Sequence, residues 1–241
     1  MSNLSQSEID HFAKDSDYWW DENGPFRPLH RLNPQRLKYI RNQIEAYWPK
    51  QTLKKRSVID IGCGGGLVCE PLARLGMDVT GLDADENAIR VATEHAAENS
   101  LKIYYRVGTS DKLQPGRGRK KRYDVVLALE IIEHVPDPAA FVQSCLDLCK
   151  PDGLVIFSTL NRTFKSYALG IVAAEKILRW VPEGTHDWRA FIKPSELTRM
   201  LMASGGSVQH VCGLIFDPLA NEFRLSERDV AVNYFLTASK P

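Results

Sequence analysis

The chain has 241 residues, of which 44% are hydrophobic and 25% charged, a length and balance suited to one α/β domain with additions and a substantial core. With 31 Lys and Arg against 30 Asp and Glu the formal net charge is +1, which excludes a global field drawing the protein to nucleic acid or to anionic membrane. No 18-residue window is apolar enough to span a bilayer, and the polar opening Met1-Ser2-Asn3-Leu4-Ser5 lacks the apolar core of a signal peptide.

Residues 5–22 predict a helix with Ile9, Phe12 and Ala13 on one face, running into Tyr18-Trp19-Trp20-Asp21. Gly24-Pro25-Phe26-Arg27-Pro28-Leu29-His30 then breaks regular structure, and Asn33-Pro34 starts a second helix over 34–47 with proline in its first turn. Residues 1–50 form either a lid over a site or a cap packed on the core. Arg31 and Arg36 are suited to a bidentate carboxylate partner, although surface arginines are commoner.

Val58-Ile59-Asp60-Ile61 reads as a buried parallel strand leading into Gly62-Cys63-Gly64-Gly65-Gly66 and a helix over 67–75. Val79-Thr80-Gly81-Leu82-Asp83 is a second strand that ends in a carboxylate. Strand, glycine loop, helix, strand and acid make a nucleoside-binding βαβ unit, with Asp83 placed to accept from ribose hydroxyls and bare peptide N–H groups at Gly62 and Gly64 facing the ligand. The dinucleotide fingerprint requires a small residue where Leu67 stands, so a pyrophosphate site fits poorly. Three consecutive glycines after Asp60-Ile61-Gly62-Cys63 instead resemble motif I of the class I S-adenosylmethionine (SAM) methyltransferases. A glycine turn with no ligand, and a nicotinamide or flavin site, are the alternatives.

The alternation continues with a helix over 85–99, a strand over 102–107, a strand over 123–129, a helix over 139–149 and a strand over 154–160. Residues 208–216 and 230–238 read as the last two strands. The fold class is therefore a Rossmann-like, mostly parallel, doubly wound sheet over residues 51–241, and by analogy with class I methyltransferases its last strand is antiparallel. In related enzymes the polar residue past the third strand lies beside the adenine, which makes Asp111 a candidate. Residues 114–122 hold five Lys or Arg without interleaved aromatics and read as a solvated loop rather than a nucleic-acid patch. Five cysteines, at 63, 69, 145, 149 and 212, have no framework spacing and suit a reducing, cytosolic compartment.

Ligands of doubly wound sheets bind beyond the carboxyl ends of the strands, where Asp83, Asp111, Glu130 and Asn161 fall. Glu130, Glu133 and His134 are spaced i, i+3, i+4 after the fourth strand. On a helical turn they would share a face and could hold one hard cation. Such an ion would stabilise a phenolate and orient it. His134 acting alone as general base, or Glu133 and His134 serving only to anchor the loop, are the other readings. Residues 161–194 are an insertion whose stretch 164–181 is rich in apolar and aromatic side chains, suited to burial in the core, to a dimer, or to contact with a membrane surface or lipid-like substrate.

Taken together, Pro28-Leu29-His30-Arg31-Leu32-Asn33-Pro34, the glycine motif, Glu133-His134-Val135-Pro136-Asp137-Pro138, Phe157-Ser158-Thr159-Leu160-Asn161-Arg162 and Val181-Pro182-Glu183-Gly184-Thr185-His186-Asp187-Trp188 resemble the bacterial ubiquinone-biosynthesis O-methyltransferases. The resemblance implies methylation of both hydroxyls of that pathway's polyprenyl phenol and quinol intermediates. It also implies SAM contacts at Arg36, Gly62, Asp83 and Leu129, and magnesium at Glu130, Glu133 and His134, with Glu133 and His134 catalytic. It further implies a cytoplasmic protein held peripherally at the inner membrane through 164–181, with other ubiquinone-biosynthesis enzymes as possible associates. A nicotinamide oxidoreductase, or a non-catalytic lipid-binding subunit that keeps the cofactor fold, are the competing functions.

Overall fold

The computed structural model describes residues 15–49, 51–113, 122–168 and 187–241. Eight strands form one sheet in the order β3-β2-β1-β4-β5-β8-β6-β7. Strands β1 (Ser57–Ile61), β2 (Asp78–Asp83), β3 (Ile103–Val107), β4 (Tyr123–Leu129) and β5 (Cys149–Leu160) are parallel to one another. β8 (Asn233–Lys240) lies antiparallel between β5 and β6 (Ser207–Asp217), and β7 (Glu222–Ser226) forms the edge. The mostly parallel doubly wound class expected from the sequence is the observed one.

β1 and β4 are fully apolar apart from Ser57, Asp60 and Asp124, because both faces of these central strands are covered. Alternation along the strands divides the core in two. One layer gathers Ile59, Ile61, Val126, Ala128, Val155, Phe157 and Leu236 with Phe141 and Val142 of α4 (Pro138–Leu148) and Leu197 and Leu201 of α5 (Pro194–Ala203). The other gathers Val58, Leu127, Ile156 and Phe235 with Tyr39, Ile40 and Ile44 of α1 (Arg27–Tyr47), Leu72 of α2 (Cys69–Arg74) and Ile89 of α3 (Glu86–Glu98). The strand order reverses at β1 and β4, which opens the crevice of a doubly wound sheet at their carboxyl ends.

Three local expectations differ from the structure. The second helix starts at Arg27, not Pro34, and carries Pro34 in its interior. Pro28 occupies the tolerated first turn, and burial of Leu32, Arg36, Tyr39, Ile40 and Ile44 on one face outweighs the intrahelical hydrogen bond that Pro34 removes. The expected helix over 5–22 has only its end described, where Ser16–Tyr18 is a single 3-10 turn. The final strands number three, because residues 207–217 and 222–226 pair as a hairpin before β8 begins at Asn233.

The segment 229–232 crosses β6 closely. A Cβ on Gly213 would collide with the carbonyl of Asp229. The same segment anchors the chain leaving β5, since Asn161 N–H donates to Val232 O at 2.8 Å, Asn161 Nδ2 to Val230 O at 2.8 Å and Thr163 Oγ1 to Ala231 O at 2.6 Å. Gly213→Ala is expected to destabilise the fold by about 1–3 kcal/mol through overpacking against backbone. Thermal unfolding should show this as a drop of at least about 2 °C, and an unchanged midpoint would mean that the crossing is loose.

Candidate active site

The loop after β1 is closed onto β2. Gly62 N–H and Cys63 N–H both donate to Leu82 O, at 2.7 and 3.1 Å, and Gly64 N–H donates to Asp83 Oδ2 at 2.8 Å. Gly62 and Gly64 hold φ of +76° and +51°, a region that side chains rarely adopt. A Cβ on Gly62 would strike Ile131, and one on Gly64 would strike Trp19. Asp83 Oδ1 accepts from Asp85 N–H at 2.9 Å, and Asp85 in turn caps α3 through Asn87 N–H. Burial raises Asp83 above the usual carboxylate value, opposed by these backbone N–H bonds. A carboxylate offers about four acceptor sites, so two remain for a pair of hydroxyls. Ile61, Gly62, Asp83, Gly108, Thr109, Ser110, Ile131, Val135 and Phe141 line the adjoining crevice, an apolar slot with Asp83 at one wall.

Asp111 is not among those lining residues. It lies exposed on the 3-10 turn Ser110–Lys112, while Thr109 and Ser110 take the wall. Thr109 Oγ1 is buried with no partner among the described residues, whereas Ser110 Oγ is bonded to Ser144 Oγ at 2.7 Å. The turn after β3 begins at Ser110, so Thr109 and Ser110 line the crevice and Asp111 faces away from it.

Arg36, on α1, lies within reach of the charges of Glu130 and Asp60. It is 5% exposed, and its Nε and Nη2 have no hydrogen-bond partner among the described residues. Burial holds it below its ordinary value, opposed by the charges of Glu130, Asp60 and Glu133. Asp60, on the α1-facing side of β1, is pushed up to about 6 by burial, with Arg36 acting against the shift. Leu129 is the buried last residue of β4, paired with Ser158. Arg36 therefore feels the charge of three carboxylates.

Glu130, Glu133 and His134 do not share a helical turn. Glu130 sits at φ +53° directly after β4, in the left-handed region that ordinary residues rarely occupy, and only Ile132–His134 forms a 3-10 turn. The Glu130 carboxylate accepts from Ser158 Oγ at 2.6 Å and from Asn233 Nδ2 at 3.0 and 3.1 Å. Glu133 Oε2 accepts from Thr159 Oγ1 at 2.8 Å. Ser158 and Thr159 are neighbours in β5 and point to opposite faces of the sheet, so the two acids are anchored from opposite sides. Among the described residues no three His, Cys, Asp or Glu side chains gather as metal ligands. The helical geometry expected for a cation is absent, and as placed the three residues do not fit one ion. Burial first, and then Glu130, push Glu133 up to about 7, while His134 acts in the other direction.

The aromatic segment before α1 covers the glycine loop. Trp19 lies against Gly64 and Gly65 and stacks on Phe26 at 3.8 Å. Trp20 Nε1 donates to Gly65 O at 3.0 Å and its ring stacks on His95 at 3.6 Å. Ser16 Oγ donates to Asp85, and His30 Nε2 is bonded to Trp19 O at 2.8 Å. The described part of this segment thus packs on the glycine loop. Arg31, the other carboxylate candidate, is turned outward to Asn221 and Phe216. Thr159 and Asn233 were not legible as site residues, because only strand pairing brings them beside the acids.

Of the apolar stretch 164–181, residues 169–186 lie outside the described residues. Its described start is a capped turn, Phe164–Ser166, with Phe164 84% and Tyr167 43% exposed. No helix among the described residues is long and apolar enough to cross a membrane.

Residues 32–211 match a family model described as a methyltransferase domain. The chain is 43% identical over 243 residues to a ubiquinone biosynthesis O-methyltransferase of Sinorhizobium medicae, covering 99% of this chain and 96% of that one. A protein of the same name from Dinoroseobacter shibae is 45% identical, covering 99% and 97%. Among solved structures, a SAM-dependent methyltransferase from Thermotoga maritima, described as a possible histamine N-methyltransferase, aligns with a TM-score of 0.65 at 15% identity over 98% of this chain and 99% of that one. Magnesium protoporphyrin IX methyltransferase of Synechocystis with bound SAH aligns with a TM-score of 0.63 at 18% identity, over 94% and 98%. At these identities the structural likenesses speak for the fold.

An acid raised by burial keeps its proton where the unfolded chain has already lost it. Glu133 moves from 4.5 to about 7, so the folded protein binds the extra proton between those values. Its contribution therefore makes stability fall as pH rises across that window, by at most about 3 kcal/mol. Denaturant unfolding of the wild type minus that of Glu133→Gln should decline from pH 4.5 to 7 and level off above. A flat difference would place Glu133 in water.

Proposed function

This chain belongs to the ubiquinone biosynthesis O-methyltransferases, and from that premise we propose that it transfers the methyl group of SAM to phenolic hydroxyls of polyprenyl catechol-like intermediates, at both O-methylation steps of the pathway. The observations that carry this reading are the Asp83 carboxylate at the wall of the crevice, suited to a ribose diol, and the buried Arg36 guanidinium, whose Nε and Nη2 have no partner among the described residues. Gly62, Gly64 and the Leu129 backbone would complete the cofactor contacts, with Thr109 beside the base. The charge balance supports a sulfonium over a pyrophosphate. Asp60, Asp83, Glu130 and Glu133 outnumber Arg36, an environment that attracts a cationic cofactor and opposes a polyanionic one. A nicotinamide oxidoreductase and a non-catalytic lipid-binding subunit find no support in the relatives.

SAM supplies an activated methyl on its sulfonium, so the protein has little covalent work to do. Its residues align the acceptor oxygen, exclude water and remove one proton. Glu133 is the group we assign to that proton. A phenol has an ordinary value near 10, and a buried carboxylate pushed up to about 7 is a stronger base than an ordinary one while still ionised in part at neutral pH. Thr159 Oγ1 holds one of its oxygens, and the neighbouring His134 favours its charged form. Glu130, held by Ser158 and Asn233, lies on the face of the sheet shared with α1.

A second reading, magnesium at Glu130, Glu133 and His134, has one observation in its favour. Glu130 and Glu133 oppose each other's charge, which a divalent cation would relieve. The present arrangement does not make a ligand group of the three, so no step is derived through the ion.

The acceptor's polyprenyl chain is held by lipid, and we read the exposed Phe164 and Tyr167 as the described edge of the surface that meets it. On this reading the protein works in the cytoplasm as a peripheral protein at the membrane surface, where other enzymes of the pathway would also meet the lipid.

Purified protein is expected to move labelled methyl from SAM to a short-chain demethylubiquinol. Asp83→Ala should weaken binding of S-adenosylhomocysteine (SAH) by about 1.5–3 kcal/mol through lost charge-assisted hydrogen bonds. Unchanged affinity in calorimetry would refute the ribose assignment.

Glu133→Gln should abolish turnover and leave SAH affinity within about twofold, while the wild-type rate rises as pH passes through about 7. Exhaustive chelation separates the two readings of this acid. Retained activity supports Glu133 as base, and loss restored by magnesium alone supports the metal.

A further inference from the structure

Trp19 is fixed from several sides. Its ring stacks on Phe26 with an interplanar angle of 5°, its carbonyl is held by His30, and the next residue is clamped to Gly65 O and His95. Its placement against the glycine loop is specific. A Cβ on Gly64 would strike Trp19 Cη2, Cζ2 and Cζ3, and one on Gly65 would strike its Cβ, Cγ and Cδ2, so both glycines lie against the indole. The indole N–H is buried, and it has no acceptor among the described residues.

A buried donor without an acceptor is rare and costly. Here it has company of both signs. Arg36 Nε and Nη2 are donors without acceptors, and Asn33 Oδ1 is an acceptor without a donor, among the described residues. Asn33 and Arg36 are three residues apart on α1 and share a face, and Asn33 Nδ2 is tied to Leu67 O, just past the glycines, at 2.8 Å. Orphans of both signs around one bare loop match a zwitterion, with a carboxylate to take N–H bonds and an ammonium to give one.

We propose that Trp19 is a cofactor-binding residue whose indole N–H donates to the α-carboxylate of the cofactor's amino-acid end, alongside Arg36, with Asn33 Oδ1 accepting from the ammonium. The inference rests on the SAM reading above and deepens it. It gives the segment before α1 a recognition role in addition to its packing role, and it explains why Gly64 and Gly65 must both be bare where Trp19 covers them. Trp20, whose N–H is already bonded to Gly65 O, is excluded from the same part.

The test compares two ligands that share the adenosine but differ at the amino-acid end, SAH and methylthioadenosine. Wild type should bind SAH in calorimetry. Trp19→Phe keeps the stack on Phe26 and removes the N–H, and is expected to lose about tenfold or more in SAH affinity with methylthioadenosine affinity unchanged. SAH affinity equal to wild type overturns the proposal, and so does an equal loss for both ligands, which would make Trp19 a structural cover. Wild type that binds neither ligand would sink the SAM reading itself and this proposal with it. Should W19F unfold, the indole N–H resonances of the wild type carry the test. At least one should shift with SAH and stay in place with methylthioadenosine, and none doing so overturns the assignment.

Discussion

The hydrogen bond from Gly64 N–H to the Asp83 carboxylate ties the glycine loop to the end of the neighbouring strand at the mouth of the crevice. It fixes the loop after β1 to the end of β2, and the two bonds to Leu82 O hold the same junction one residue earlier. The parallel register pairs Ile61 with Leu82, so loop and acid emerge side by side without further adjustment. Gly62 and Gly64 must adopt left-handed backbone for their N–H groups to turn back, which is why side chains are barred there. A buried carboxylate would be costly alone. Two backbone N–H groups, from Gly64 and Asp85, offset much of that cost and leave acceptor sites facing the crevice.

Around that junction the protein accumulates negative charge with little compensation. Asp60 and Glu133 are raised by burial, and Arg36 is the cation that faces Asp60, Glu130 and Glu133. A fold under selection for stability alone would replace such groups with apolar side chains of similar volume, since buried charge seldom repays its desolvation. Their presence near the carboxyl edge of the sheet suits a ligand that carries positive charge at one atom and a carboxylate at another, as proposed above. The apolar wall of Ile131, Val135 and Phe141 then suits the flat base between them.

The βαβ unit was legible because its signals are local. An apolar run, a glycine cluster and a strand ending in Asp83 each state their conformation within a few residues, and the structure agrees with them. The start of α1 was misread at Pro34, since the packing of Leu32, Tyr39 and Ile40 on the sheet is a tertiary fact that overrides a local breaker. Residue type alone points to Asp111 beyond β3, whereas the turn beginning at Ser110 sets Thr109 and Ser110 on the crevice wall. The spacing of Glu130, Glu133 and His134 suggested a helical face, but Glu130 takes a left-handed conformation that no periodicity encodes. Asn233 lies 103 residues from Glu130 in sequence, and only the antiparallel pairing of β8 with β5 brings them together.

That pairing also separates the anchors of the two acids. Ser158 and Thr159 are consecutive in a buried strand, so their hydroxyls leave on opposite faces. Ser158, with Asn233, holds Glu130 on the face shared with Arg36, while Thr159 holds Glu133 on the face shared with α4. A one-residue slip of β5 would exchange the two anchors and move each acid to the wrong side. The long register of β5 with β8, eight residue pairs from Gly153 to Leu160, makes such a slip expensive. The C-terminal strand, far from the glycine loop in sequence, is therefore what keeps the two carboxylates anchored on opposite faces of the sheet.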